Sequence, residues 1–216
     1  MGEPGDRGDV PRVFLLILAA LLLLGLAAVP SAIAASNLEG GKAMERPARA
    51  ASTSPLIAPP GACPNQASLE ASAPDQEQAM RCMTDFARRQ AGLVSLAEAE
   101  ALDVSAREKT LDILRCDSFS HFACGRDFTY WMQETGYTAA SCWRAGENLA
   151  WGIGEQGTVR SIFRALMRSP THRRNILGDY SQIGVGVEVG TLAGRPETFV
   201  WTQHFGSHCE TSPAQA

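Results

Sequence analysis

The chain has 216 residues, 45% of them hydrophobic and 19% charged, with a formal charge of −4. That is enough for one ordinary globular domain plus processing and linker segments. A weak acidic balance without a long basic run argues against nucleic acid as a partner and against electrostatic attachment to an anionic membrane.

Val13 to Val29 form an apolar run, preceded by Arg7 and Arg12 and followed by the small-residue site Ala32-Ile33-Ala34. Residues 1–34 therefore read as a secretory signal peptide, with cleavage after Ala34. The alternative is an uncleaved N-terminal anchor, because residues 13–29 nearly reach the ~17–25 needed to span a bilayer. Either way the remainder, with a formal charge of −3, is expected to be secreted or extracytoplasmic, tethered to the membrane in the second case. Residues 35–74 are rich in Ala, Pro, Ser and Gly and poor in large apolar groups, the composition of a flexible stalk.

The folded unit is expected over residues 75–210. Met80, Met83, Phe86 and Ala87 recur at helical spacing between Asp75 and Arg89, and Gly92 supplies a stop. A second helix is predicted over Ala97–Leu114, a third over Ser118–Thr135 and a fourth over Val159–Met167. Between the last two, Gly146-Glu147-Asn148-Leu149-Ala150-Trp151-Gly152 is too short and Gly-bounded for a helix. The period then changes. Ile183, Val185, Val187 and Val189 alternate with Gly and Glu, and Thr198 to Phe205 is β-rich around Trp201. Helices surrounding a small antiparallel sheet make the fold α+β.

All six cysteines, Cys63, Cys82, Cys116, Cys124, Cys142 and Cys209, follow the signal, and none forms a C-x-x-C pair. An even number in an exported chain points to three disulfides. Pairing 63–82, 116–124 and 142–209 would close a short local loop and tie the C-terminus back to the domain.

Two histidines sit in similar local settings. Ser118 or Asp117 can cap the third predicted helix, placing His121 in its first turn. Ser169 and Pro170 suit the start of another helix, placing His172 at its third position. The positive end of a helix dipole disfavours imidazolium, so both rings are expected to stay neutral. Between them lies Glu147, expected in a turn that aims its carboxylate inward; a salt bridge to Arg144 is the plainer reading. Two imidazoles and a carboxylate would suit zinc with a fourth position left to water. His121, Glu147 and His172 are thus the candidate catalytic or metal-binding residues, zinc is the candidate cofactor, and helix starts are the plainer account of the histidines. His204 and His208 read as surface or packing residues. Neither H-E-x-x-H nor G-x-S-x-G occurs. Gly152-Ile153-Gly154-Glu155-Gln156-Gly157 matches G-x-G-x-x-G, but the helix after it runs into Ser169-Pro170 and another helical turn, not a parallel strand, so a dinucleotide site is rejected.

Several blocks resemble, in order, the bacterial branch of the CAP family (cysteine-rich secretory, antigen 5, pathogenesis-related). They are Phe119-Ser120-His121, the Gly146–Gly152 segment, Ser169-Pro170-Thr171-His172-Arg173-Arg174-Asn175-Ile176-Leu177, Ile183-Gly184-Val185-Gly186 and Trp201-Thr202-Gln203-His204-Phe205-Gly206. The stretch from Cys82 to Leu96 is similar to the family's opening helix, with Asp85 where asparagine is more usual. The resemblance implies an α-β-α sandwich with a large cleft. In eukaryotic members that cleft holds two histidines and two glutamates, and some bind divalent metal. His121 and Glu147 match one of each, and His172 matches the histidine of the bacterial S-P-x-H-R block. The second glutamate has no match, its place falling near Ser169, and Asp179 or Tyr180 stands where eukaryotic members have a further histidine. The stalk, the disulfides and the incomplete set of four cleft residues point to a binding module at the cell envelope, with a lipid, glycan or protein partner. A metal-assisted hydrolase and a disulfide-stabilised structural domain are the alternatives.

Overall fold

The alternating segments of the C-terminal third become the centre of the sheet in the computed structural model, which describes residues 55–209. Strand β3 (Gln182–Leu192) and strand β4 (Arg195–His208) form an antiparallel hairpin. Its two-residue loop places Ala193 and Gly194 at φ 50° and 73°, the conformation that matches the twist of the flanking strands. Strand β2 (Trp143–Ile153) pairs antiparallel with the other side of β4, and the two-residue strand β1 (Ala97–Glu98) pairs parallel with β3. The order is β1-β3-β4-β2, which leaves β2 at an edge.

Helices cover both faces. Helix α1 (Ala73–Gln90), helix α4 (Val159–Arg168) and helix α5 (Pro170–Ile176) pack on one side, where Met80, Met83, Ile162, Phe163 and Ile176 meet Ile183, Val185, Val187, Trp201 and Phe205. Helix α2 (Glu100–Arg115) lies on the other. It approaches closely because β3 offers glycine there: a Cβ on Gly184 would collide with the Leu102–Asp103 peptide, and one on Gly186 with Ala106. The result is the expected α-β-α sandwich.

Some boundaries differ from expectation, each for a visible reason. Ala97 does not begin a helix, because its N–H bonds to Ser181 O at 2.9 Å and Ala99 N–H bonds to Ile183 O at 3.2 Å, extending the sheet. The helix predicted over 118–135 shrinks to a 3-10 turn at Ala123–Gly125 and helix α3 (Tyr130–Glu134). Asp117 and Cys124 have φ of 46° and 57°, incompatible with helix, and the Cys116–Cys124 disulfide closes the segment into a loop. The other two disulfides join Cys63 to Cys82 and Cys142 to Cys209, so all three pairings are as expected.

The packed unit also starts earlier than Asp75. Ile57, Ala58 and Cys63 are buried in the main core, and Arg160 Nη1 donates to Ala58 O at 2.5 Å and to Gln66 Oε1 at 2.6 Å. Residues 55–74 of the expected stalk therefore belong to the domain. The rest of that stalk, the signal segment and the apolar run 13–29 lie outside the described residues. No described helix is long and apolar enough to cross a membrane.

Candidate functional site: a buried carboxylate between two histidines

The β2–β4 register sets Glu147 directly opposite His204 and Asn148 directly opposite Gln203. Successive side chains leave a strand on opposite faces, so these two pairs divide. Glu147 and His204 turn toward α2, while Asn148 and Gln203 turn toward the other layer. There Asn148 Nδ2 donates to Gln203 Oε1 at 3.1 Å, and Gln203 Nε2 donates to Thr84 Oγ1 at 3.1 Å.

Glu147 lies in mid-strand, not in the turn expected from its flanking residues. Its side chain is 1% exposed, and both oxygens are occupied. Oε1 lies 2.5 Å from His121 Nδ1, and Oε2 lies 2.9 Å from His204 Nε2. His204 is fully buried, and its Nδ1 lies 2.7 Å from Ser105 Oγ on α2. Ser105 Oγ also donates to Leu102 O at 2.9 Å. Arg144, the plainer partner for Glu147, pairs with Asp179 instead.

His121 is not in a helical first turn. It sits in the loop closed by Cys116 and Cys124, and Lys109, fully buried on α2, donates to its carbonyl at 2.6 Å. The same helix presents Asp112, also fully buried, which accepts from Arg126 Nη1 at 2.8 Å and from Trp131 Nε1 at 2.7 Å. Ser105, Lys109 and Asp112 thus form one polar stripe, spaced i, i+4, i+7, that ties the loop and the carboxylate to a single helix face. His172 does occupy the third position of α5, although Ser169 makes no side-chain cap bond. Its carbonyl accepts from Asn148 Nδ2 at 3.1 Å, and Asn175 of the same helix donates to Glu147 O at 3.0 Å.

The charge states follow from these contacts. Burial works to raise the Glu147 pKa, but hydrogen bonds from His121 and His204, with the Lys109 charge nearby, outweigh it and leave the carboxyl below its ordinary value. The bond to Glu147 lifts His121 above the ordinary histidine value, against partial burial. The expectation of a dipole-neutralised ring is corrected at this residue. Burial, followed by repulsion from His121, lowers His172. The two imidazoles are thus shifted in opposite directions, His121 up and His172 down.

His121 and Glu147 are in direct contact, and His172 lies on α5, where its backbone carbonyl accepts from Asn148 of β2. Glu147 spends both oxygens on imidazoles, and among the described residues no group of three or more His, Cys, Asp and Glu side chains is arranged to hold a metal ion. The carboxylate orients His121 rather than presenting itself as a ligand. Four supporting residues, Ser105, Lys109, Asn175 and His204, were not found from sequence. The α2 spacing and the period-two placement of Thr202 and His204 were the available signals.

This three-layer sandwich, with Glu147 on its edge strand, is that of a CAP-type domain. The family description "Cysteine-rich secretory protein family" matches residues 83–205, and the chain belongs to the CAP family. Protein YkwD of Bacillus subtilis (strain 168) is 34% identical over 125 residues, covering 57% of this chain and 44% of that protein. The chain thus spans less than half the length of that relative. The solved structure of an outer surface protein from Borrelia burgdorferi shares the fold, with TM-score 0.52 and 17% identity over 62% of this chain and 94% of that one. An extracellular protein containing a SCP domain from Bacillus anthracis str. Ames is similar at TM-score 0.48 and 20% identity, over 62% of this chain and 40% of that chain.

Proposed function

We propose that the chain is an exported binding module of the cell envelope, in which His121, set beside His172, grips an anionic or carbonyl oxygen of an envelope lipid, glycan or protein. The observation that carries this reading is the buried Glu147 held by two imidazoles. A carboxylate that spends Oε1 on His121 Nδ1 fixes that ring and leaves its other nitrogen free, on a side chain that is 52% exposed. The raised pKa keeps His121 cationic to higher pH than an ordinary histidine, while the lowered pKa keeps His172 neutral. One fixed charge beside one neutral ring favours a single acceptor group over a long polyanion. Three disulfides support placement in an oxidising, extracytoplasmic compartment, as does the signal-like segment 1–34.

Co-sedimentation with isolated envelope fragments tests the reading. Saturable binding should weaken as pH rises past the ordinary histidine value and His121, whose pKa is raised by Glu147, loses its proton, and should be lost in His121→Gln/His172→Gln. Equal sedimentation of the variant and the parent would overturn it.

A second reading is hydrolysis. An imidazole held by a carboxylate is also how a general base is oriented. All six cysteines are in disulfides and no hydroxyl bonds to His121 among the described residues, so water would be the nucleophile. Turnover of any envelope component, abolished by His121→Gln with binding retained, would favour this reading.

A further inference from the structure

On the α2 side of the sheet, β2 presents Glu147, Leu149 and Trp151 at alternate positions. Glu147 serves the histidines and Leu149 packs in a small core, but Trp151 is 41% exposed. Its indole walls two concavities. The larger, of about 440 Å³, is lined by Gln156, Ser161, Arg164 and Arg168 among others. The smaller, of about 90 Å³, is lined by Phe119, Arg195 and Asp117 among others.

The charges around this indole are unbalanced. Arg164 and Arg168 are exposed and lie four residues apart on α4, a spacing at which like charges destabilise a helix. Among the described residues neither they nor Arg195 has an acidic partner. Arg195 lies instead over the Trp151 ring, 5.6 Å from its centroid. The acid at the far end, Asp117, already accepts from the Ala193 N–H. An aromatic wall, two uncompensated guanidinium groups, an amide and a hydroxyl thus line the larger concavity, a trough whose indole carries Arg195 over its ring.

We propose that this trough binds an oligosaccharide bearing carboxylates. The apolar face of a sugar ring packs against indole, guanidinium forks take carboxylates in a bidentate manner, and Gln156 and Ser161 suit hydroxyl groups. A long nucleic acid fits poorly, because the chain as a whole carries −4. A lipid surface fits poorly too, because the indole walls a concavity and does not stand out from the surface. The trough is separate from the histidine site and rests on the exported-module reading only for where such a glycan would be met.

Calorimetric titration of tetragalacturonate into the intact, disulfide-bonded chain at low ionic strength tests the proposal, beside a neutral tetrasaccharide. The acidic sugar should bind saturably, with affinity reduced about tenfold or more in Trp151→Ala and in Arg164→Gln/Arg168→Gln, and unchanged in His121→Gln. The arginine variant alters only exposed positions on α4, so it keeps the test valid if loss of the indole disturbs β2. Absent binding, equal affinity for the neutral sugar, or affinity unchanged in the arginine variant would overturn the proposal. Loss in His121→Gln alone would assign the sugar to the histidine site and would also overturn it, whereas a failure confined to the trough leaves the histidine reading untouched.

Discussion

The two faces of the sheet are built from different materials. The face under α1, α4 and α5 is mostly hydrocarbon: Met80, Met83, Phe163, Trp201 and Phe205 are all at most 1% exposed. The face under α2 is threaded with polar groups just as deeply buried, among them Ser105, Lys109, Thr110, Asp112, Thr202 and His204. Thr110 Oγ1 donates to Thr202 Oγ1 at 2.8 Å, one step along the helix from the Ser105–His204 contact. Burial is the main stabiliser of the first face, roughly in proportion to area, with Asn148, Gln203 and Thr84 as a hydrogen-bonded polar inset. On the second, each buried polar group is tolerable only because it has a partner. The lesson is a division of labour: α1, α4 and α5 hold the sheet, and α2 holds a charge arrangement against it.

That contrast can be broken from either side. Phe163→Ala should have the largest effect, about 4 kcal/mol of stability from lost contacts and a cavity, read by urea unfolding. It should leave His121 titrating as before; an altered His121 pKa in this variant would mean the two faces are not independent. Glu147→Gln should cost less, about 2–3 kcal/mol, because charge-assisted bonds become neutral ones while the shape is kept.

The same variant should also flatten the pH dependence of stability. A depressed Glu147 contributes stability above its ordinary value of 4.5 and loses it as pH falls through its lowered one. A raised His121 contributes below 6.5 and loses that as pH rises through its raised value. The pair therefore contributes most between about 4.5 and 6.5, with His172, lowered by burial, pulling the other way on the acid side. Thermal melts across that range should lose both limbs in Glu147→Gln, and unchanged limbs would assign the pH response elsewhere. The smallest change, about 1 kcal/mol, is expected for Ser105→Ala, which removes one partner of a buried imidazole. A cost near zero would show that Nδ1 of His204 does not depend on the hydroxyl.

Much of the apolar face was legible in the sequence, because its signal is periodic. Met80, Met83 and Ala87 mark α1, and Ile183, Val185 and Val187 mark β3, at spacings set by helix and strand geometry. The contact between His121 and Glu147 joins two of the blocks that carry the family resemblance, and spacing alone did not announce it. What escaped was set by tertiary contact. The short strand at Ala97–Glu98 exists because β3 supplies its partners, and a helical pattern over 118–135 gave way to a disulfide and to positive φ at Asp117 and Cys124. His204 read as a surface or packing residue, and its role beside the carboxylate escaped because nothing local announces that Glu147 stands across from it in the neighbouring strand. Cross-strand register is a property of two segments, and neither carries it alone.

The loop that carries His121 is closed by Cys116 and Cys124, eight residues apart. Glu147, His204 and Ser105 are held by the sheet and α2, which need no oxidant to form. In a reducing compartment this covalent closure is absent, and the Lys109 bond to the His121 carbonyl has to restrain a longer, freer segment. The two imidazoles that meet Glu147 are thus held by different means, His204 by sheet and helix packing and His121 by a loop with a covalent closure.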